Sequence, residues 1–148
     1  MRKNFKKICD IDLSIPIKKG IRKVQDTAKI LVAVDLGDLR NSIDTKISKN
    51  QNEVIGEVFT NNDHAAYIEF GTGPKGTGTY PFKIKGITLK YVNYNWIYFS
   101  EKLKHFVYTK GQIAKPYMYP ALKTNKKQII KYIADYYKQE IRKLGIKW

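Results

Sequence analysis

The sequence predicts an α+β fold: an antiparallel sheet packed against an N-terminal and a C-terminal helix, with a glycine-rich loop extension. Three observations carry this. Apolar residues recur every three or four positions near both ends of the chain, several short segments between them alternate with a period of two, and Gly71, Gly73, Gly76 and Gly78 crowd one stretch.

In chain order, Ser14 followed by Pro16 reads as an N-cap with proline in the first turn. Ile17, Ile21, Val24, Ala28 and Leu31 then predict an amphipathic helix from about Ile15 to Val32, with Lys18, Lys19, Arg22 and Lys23 mostly on its wet side. Gly20 weakens that helix by ~1 kcal/mol relative to alanine, so its first turns are expected to bend or fray. Asp35 is placed to cap a short helical turn from Leu39 to Ser42. Thr45 to Ser48 and Glu53 to Thr60 read as a hairpin turning at Asn50, Gln51 and Asn52. Ala65 to Phe70 alternates as a strand of the same sheet would, with Tyr67 and Glu69 on one face. The glycines and Pro74 then exclude regular structure, and Phe82 to Ile87, Asn95 to Phe99 and His105 to Thr109 resume the sheet. Pro116 and Pro120 bracket an extended turn into a last helix carrying Leu122, Ile129, Ile130, Ile133, Tyr137, Ile141 and Leu144, stopped by Gly145. Neither a repeat nor a linker appears, which predicts a single domain over 1–148 with 1–14 as a flexible N-terminal segment.

Composition bounds the function. A chain of 148 residues, 43% hydrophobic and 13% aromatic, can bury a core without staples. Cys9 stands alone, which excludes an internal disulfide or thiolate zinc cluster and suits synthesis in a reducing cytoplasm. Asp10 and Asp12 break what a secretory segment would need as an apolar run, and nothing approaches the roughly 18 apolar residues of a membrane span. No membrane partner is expected. The net charge of +15 is unevenly spread, with 12 Lys or Arg against 10 Asp or Glu in residues 1–70 and 16 against 3 in residues 71–148. A basic half can neutralise phosphates, which makes a small nucleic-acid-binding protein the alternative reading. Yet 24 of the 28 cations are lysine. Arginine reads phosphates and bases better, and lysine abundance beside Ile, Asn and Tyr is what an A/T-rich genome imposes.

The motifs that could carry chemistry fail on mechanism. Gly71, Gly73 and Gly76 form a literal G-x-G-x-x-G directly after a predicted strand, but a dinucleotide site needs a helix to start there and Thr77 to Pro81 leads into an extended stretch. No Gly-Lys-Ser/Thr closes the run as a P-loop would. Asp63, His64 and Glu69, or Asp44 with Lys46, do not supply the converging carboxylates that a metal nuclease requires. Cys9 and His105 lack partners for nucleophilic catalysis, His105 reading as a half-buried sheet histidine. No catalytic residue, metal ligand or cofactor is therefore expected, and the chain reads as a non-enzyme. Tyr91, Tyr94, Trp96, Tyr98, Phe99, Phe106 and Tyr108 read as sheet packing or subunit contact before base stacking.

Three blocks carry a resemblance. Val34-Asp35-Leu36-Gly37-Asp38-Leu39-Arg40-Asn41-Ser42-Ile43, then Ala65-Ala66-Tyr67-Ile68-Glu69-Phe70-Gly71-Thr72-Gly73, then Thr109-Lys110-Gly111-Gln112 with Lys115-Pro116-Tyr117-Met118-Tyr119-Pro120-Ala121-Leu122 stand in order. Together, over about residues 17 to 144, they resemble the head-tail joining or neck proteins of tailed bacteriophages, the tail-completion or minor tail family called gene-product-ten-like. The chain departs from that pattern at Leu36, where a small polar residue is usual, and in a lengthened, aromatic Lys83 to Lys104. The resemblance implies a structural α+β subunit of the virion neck, assembled in the bacterial host cytoplasm. It also implies self-association as a ring, a hexamer in preference to a dodecamer. Its neighbours would be connector or head-completion proteins and tail terminator or tube proteins, with DNA passing through.

Assembly contacts are expected at Tyr67, Glu69, Gly71, Gly73, Pro74, Lys75, Gly76, Tyr80, Tyr117 and Tyr119. The glycine loop from Gly71 to Tyr80 is expected to order only when a neighbour supplies contacts, because fixing each residue costs roughly 1 to 2 kcal/mol of backbone entropy.

Overall fold

A computed structural model describes residues 7–32, 37–51 and 53–145. Along it run α1 (Ser14–Leu31), α2 (Gly37–Ser42), β1 (Asp44–Lys49), β2 (Val54–Phe59), α3 (Ala65–Phe70), α4 (Gly73–Gly76), β3 (Trp96–Ser100), β4 (His105–Thr109) and α5 (Met118–Lys143). The α+β class is as the sequence predicts. The expected cap Asp35, with Val34 and Leu36, lies outside the described residues, as do Asn52 of the hairpin turn and residues 1–6 of the N-terminal segment. Two compact units divide the chain, one formed by Met1–Thr60 with Tyr119–Trp148, the other by Asn61–Met118.

In the first unit the three-four spacing of α1 buries Pro16, Ile21, Val24 and Ala28 on one face. Asp12 is tied to the start of this helix, since its Oδ1 accepts from the Ser14 N–H at 2.9 Å. Gly20 does not fray the helix. It lies where α5 crosses, and a Cβ there would stand 3.0 Å from Ile129 Cγ2, so the missing side chain sets how closely the helices approach. Asn125 of α5, 5% exposed, donates through Nδ2 to Thr27 Oγ1 at 2.9 Å and to the Ala121 carbonyl at 2.8 Å. A buried amide so satisfied fixes register between the helices without leaving a desolvated donor. The hairpin β1–β2 is antiparallel, pairing Asp44 with Phe59 and Lys49 with Val54. It lies against α1, with Gly56 under Ile17 and Ile21. Leu39 and Ile43, both nearly inaccessible, complete the core at the turn between α1 and the hairpin.

The second unit departs from the expected continuous sheet. Its ladder of paired strands is β3–β4, so among the described residues there are two two-stranded sheets, β1–β2 and β3–β4. Ala65–Phe70 is helical instead of extended. Two alanines favour a helix, and Asn62 starts it by accepting the His64 N–H on Oδ1 at 2.9 Å and the Ala65 N–H on its carbonyl at 3.0 Å. Phe82 to Ile87 is not a strand either, turning at Lys85 and Gly86.

The glycine run also differs from expectation. It contains the helical turn α4 and is ordered by the chain's own residues 110–115. Thr72 and Gln112 exchange backbone hydrogen bonds at 2.9 and 3.1 Å, the Lys75 N–H donates to the Lys110 carbonyl at 3.0 Å, and the Ala114 N–H donates to Thr79 Oγ1 at 2.9 Å. Such bonds offset the ordering entropy from within one subunit.

Candidate assembly site

Glu69 is the centre of the second unit. Only 5% exposed, it sits on the face of α3 that turns away from water, and its Oε2 accepts the N–H groups of Tyr117 at 2.7 Å and Met118 at 2.8 Å. Those groups open α5, so the carboxylate occupies the positive end of a helix and satisfies donors that no intrahelical carbonyl can reach. Tyr80 adds its hydroxyl near Oε1 at 3.4 Å, while its ring meets Phe70 and Phe82 edge to face at 5.0 and 5.6 Å. Beside the carboxylate, Tyr117 is 1% exposed.

Burial, with the Glu69 charge adding to it, pushes the Tyr117 phenol up to about 12 from its ordinary 10. An unfolded chain loses this proton near pH 10 and the folded one near pH 12, so between those values the unfolded state binds fewer protons and stability falls as pH rises. The contribution is present in full below pH ~10, and roughly 2 to 3 kcal/mol of it is gone above pH ~12. Tyr117→Phe is therefore expected to flatten the stability profile between pH 10 and 12 relative to the parent in urea titrations. Parallel profiles for the two proteins would refute this.

The ten expected contact residues thus divide. Within the second unit Glu69, Gly71, Gly73, Gly76 and Tyr117 are buried by their own chain, Tyr80 is half-buried, and Tyr67, Pro74 and Lys75 are exposed. The helix separates Tyr67, 53% exposed, from Glu69, which a strand would have kept on one face. Tyr119 is half-buried in the first unit.

Chemistry-bearing residues stay scattered. Asp63 and His64 are exposed at the start of α3, Cys9 is exposed, and His105 is exposed and not half-buried, its Nδ1 lying 2.9 Å from the Phe106 carbonyl. Among the described residues no group of three or more His, Cys, Asp or Glu side chains is placed to hold a metal ion, and no helix is long and apolar enough to cross a membrane. Phe99, Phe106 and Tyr108, read from the sequence as sheet packing or subunit contact, share one exposed face of β3–β4 with Ile97, which that reading did not name. Both faces of β3 are apolar in sequence, so no alternation signalled which one faces water.

Comparison with known proteins fits a structural part of a particle. Residues 6–71 match the family model described as Bacteriophage HK97-gp10, putative tail-component. Over that stretch the chain is HK97-gp10-like. The match is to the family that the residues resemble, over residues 6–71 of the chain. The HK97-gp10-like stretch covers the first block, Val34 to Ile43, and the second as far as Gly71, and it includes α1, the β1–β2 hairpin and α3 with Glu69. The third block, from Thr109, lies beyond it. No curated protein and no solved structure matches the chain.

Proposed function

We propose that this chain is a non-enzymatic subunit of the neck of a tailed phage or phage-tail-like particle, joining the head connector to the tail as part of a ring. The observation that carries this is the tail-component match over residues 6–71, together with a third block in the same order and spacing downstream. A subunit acting by shape needs surfaces and a rigid frame, and the buried Glu69 anchor with the internally bonded glycine run provides the frame. Joining a symmetric connector to a tail calls for a closed arrangement, which head-to-tail contacts between copies generate when the rotation closes.

A second reading is favoured by the charge. Lys18, Lys19, Arg22 and Lys23 line an open groove with Tyr132, Lys19 lying 4.4 Å from the centre of the Tyr132 ring, and Asp26 is the lone acid there. A phosphate backbone fits such a groove, and the neck reading accommodates it as contact with passing DNA.

The deciding experiment locates the subunit by electron cryomicroscopy of complete particles. A closed ring of this chain at the head-tail junction, six copies in preference to twelve, is the expected result. Isolated copies that do not touch one another, or none at the junction, would count against the neck assignment. Tight binding of monomers to DNA that persists at high salt would favour the second reading.

A further inference from the structure

The β3–β4 hairpin shows an inverted ribbon. Ile97 lies opposite Tyr108 and Phe99 opposite Phe106, and directly opposed residues project to the same side. The other side carries Trp96, Tyr98, Ser100, His105, Val107 and Thr109, of which Trp96, Ser100, Val107 and Thr109 are half-buried and Tyr98 and His105 are exposed. Trp96 turns toward Gly73, its ring standing 2.7 Å from where a Cβ on that glycine would be. On the first side Ile97 is 64% exposed, Phe99 46%, Phe106 72% and Tyr108 61%. Phe99 and Phe106 meet edge to face with ring centres 5.4 Å apart, and the Asn95 amide bonds to the Tyr108 hydroxyl. An antiparallel ribbon with one side on its core ordinarily turns polar residues to water. This one turns four large apolar side chains outward as a contiguous face, which is the mark of an interaction surface.

Charge chooses the occupant. The Asn61–Met118 unit holds eight lysines and three acids. Of those acids Glu69 is committed to Tyr117 and Met118, and Glu101 pairs with Lys104 at 2.8 Å. Lys102 in the hairpin turn and Lys110 just past β4 form no ion pair among the described residues. A second copy laid on the same face would bring like charges together. Single-stranded nucleic acid would need flat ring faces to stack on, and the edge-to-face pair of Phe99 and Phe106 does not offer a stacked series.

We propose that this face docks on a protein other than this chain, one presenting an apolar patch ringed by aspartates and glutamates that meet Lys102 and Lys110. The inference goes beyond the neck reading and does not need the ring.

The test places a photoreactive benzoylphenylalanine at Phe106 of the full chain, expressed in cells that make its particle, and identifies the crosslinked peptide by mass spectrometry. One dominant adduct to a different protein is expected. Its crosslinked segment should lie in a surface where Asp and Glu outnumber Lys and Arg. The yield should fall about tenfold in a Lys102→Glu/Lys110→Glu variant, or in Lys102→Gln/Lys110→Gln if the first does not fold. An adduct to a second copy, to nucleic acid or to lipid overturns the proposal, as does no adduct or a yield indifferent to the lysine changes. Absence of the subunit from the head-tail junction would strike the neck reading alone and leave this result standing.

Discussion

Glu69→Ala is expected to destabilise the Asn61–Met118 unit by about 3 to 5 kcal/mol, enough to unfold many domains of this size. The carboxylate accepts two backbone N–H groups at 2.7 and 2.8 Å, and removing it leaves both donors without a partner beside a tyrosine that is 1% exposed. A hydrogen bond to a charged group contributes about 1.5 to 3 kcal/mol, and the charge at the opening of α5 adds up to about 1 more. Glu69→Gln should cost less, about 1 to 2 kcal/mol, because both bonds go to one oxygen and an amide oxygen can still receive them. Urea unfolding followed by Trp96 emission, with Trp148 replaced by phenylalanine, measures both. An alanine variant within about 1 kcal/mol of the parent would show that the carboxylate is not the anchor described here.

Gly111→Ala is expected to cost about 4 kcal/mol or more. Gly111 has φ of +89°, and a Cβ on it would stand 2.0 Å from the Thr72 carbonyl oxygen and 2.6 Å from its carbon. Those are backbone atoms that cannot swing aside as a side chain can. The left-handed conformation alone costs a residue with a side chain roughly 1 to 2 kcal/mol. Separating the two segments then breaks the paired Thr72–Gln112 bonds and strains the Lys75 to Lys110 bond. Gly78→Ala is the control, because its φ of +72° carries the same conformational cost while nothing lies within 4 Å of the added carbon. Equal losses in the two variants, measured by the same unfolding assay, would mean that the close approach at Gly111 is not a constraint.

Where one periodicity stood clear of competing signals, structure was legible in the residues. α1, α5 and β1–β2 fall within a few residues of where apolar spacing places them, and β4 coincides with the predicted His105 to Thr109. Ala65–Phe70 misled because six residues alternating by twos also make nearly two turns of helix, and the local start at Asn62 is joined by contacts distant in sequence in deciding between them. Glu69 settles the matter, since its partners lie 48 and 49 residues away. The same distance hid the role of the glycines. Their spacing announced tight backbone but not that residues 110–115 would fill the space left by the missing side chains. Among the expected contact residues Tyr67, Pro74 and Lys75 are exposed and Tyr117 is 1% exposed, a division that residue type alone did not announce.

The mutual bonds of Thr72 and Gln112 have a consequence for how this molecule can vary. They fasten the two ends of everything from 73 to 111, and within it Tyr80 near Glu69 and Tyr91, whose hydroxyl donates to the Phe70 carbonyl at 2.9 Å, tie the segment to α3 again. Closing a flexible segment costs free energy that grows only with the logarithm of its length, about 0.6 kcal/mol for each doubling. Insertions between Phe82 and Asn95 would therefore extend the reach of the β3–β4 tip while the clasp keeps its geometry. A change of length or composition within Lys83 to Lys104 is thus expected to leave α1, β1–β2 and the Glu69 anchor as they are.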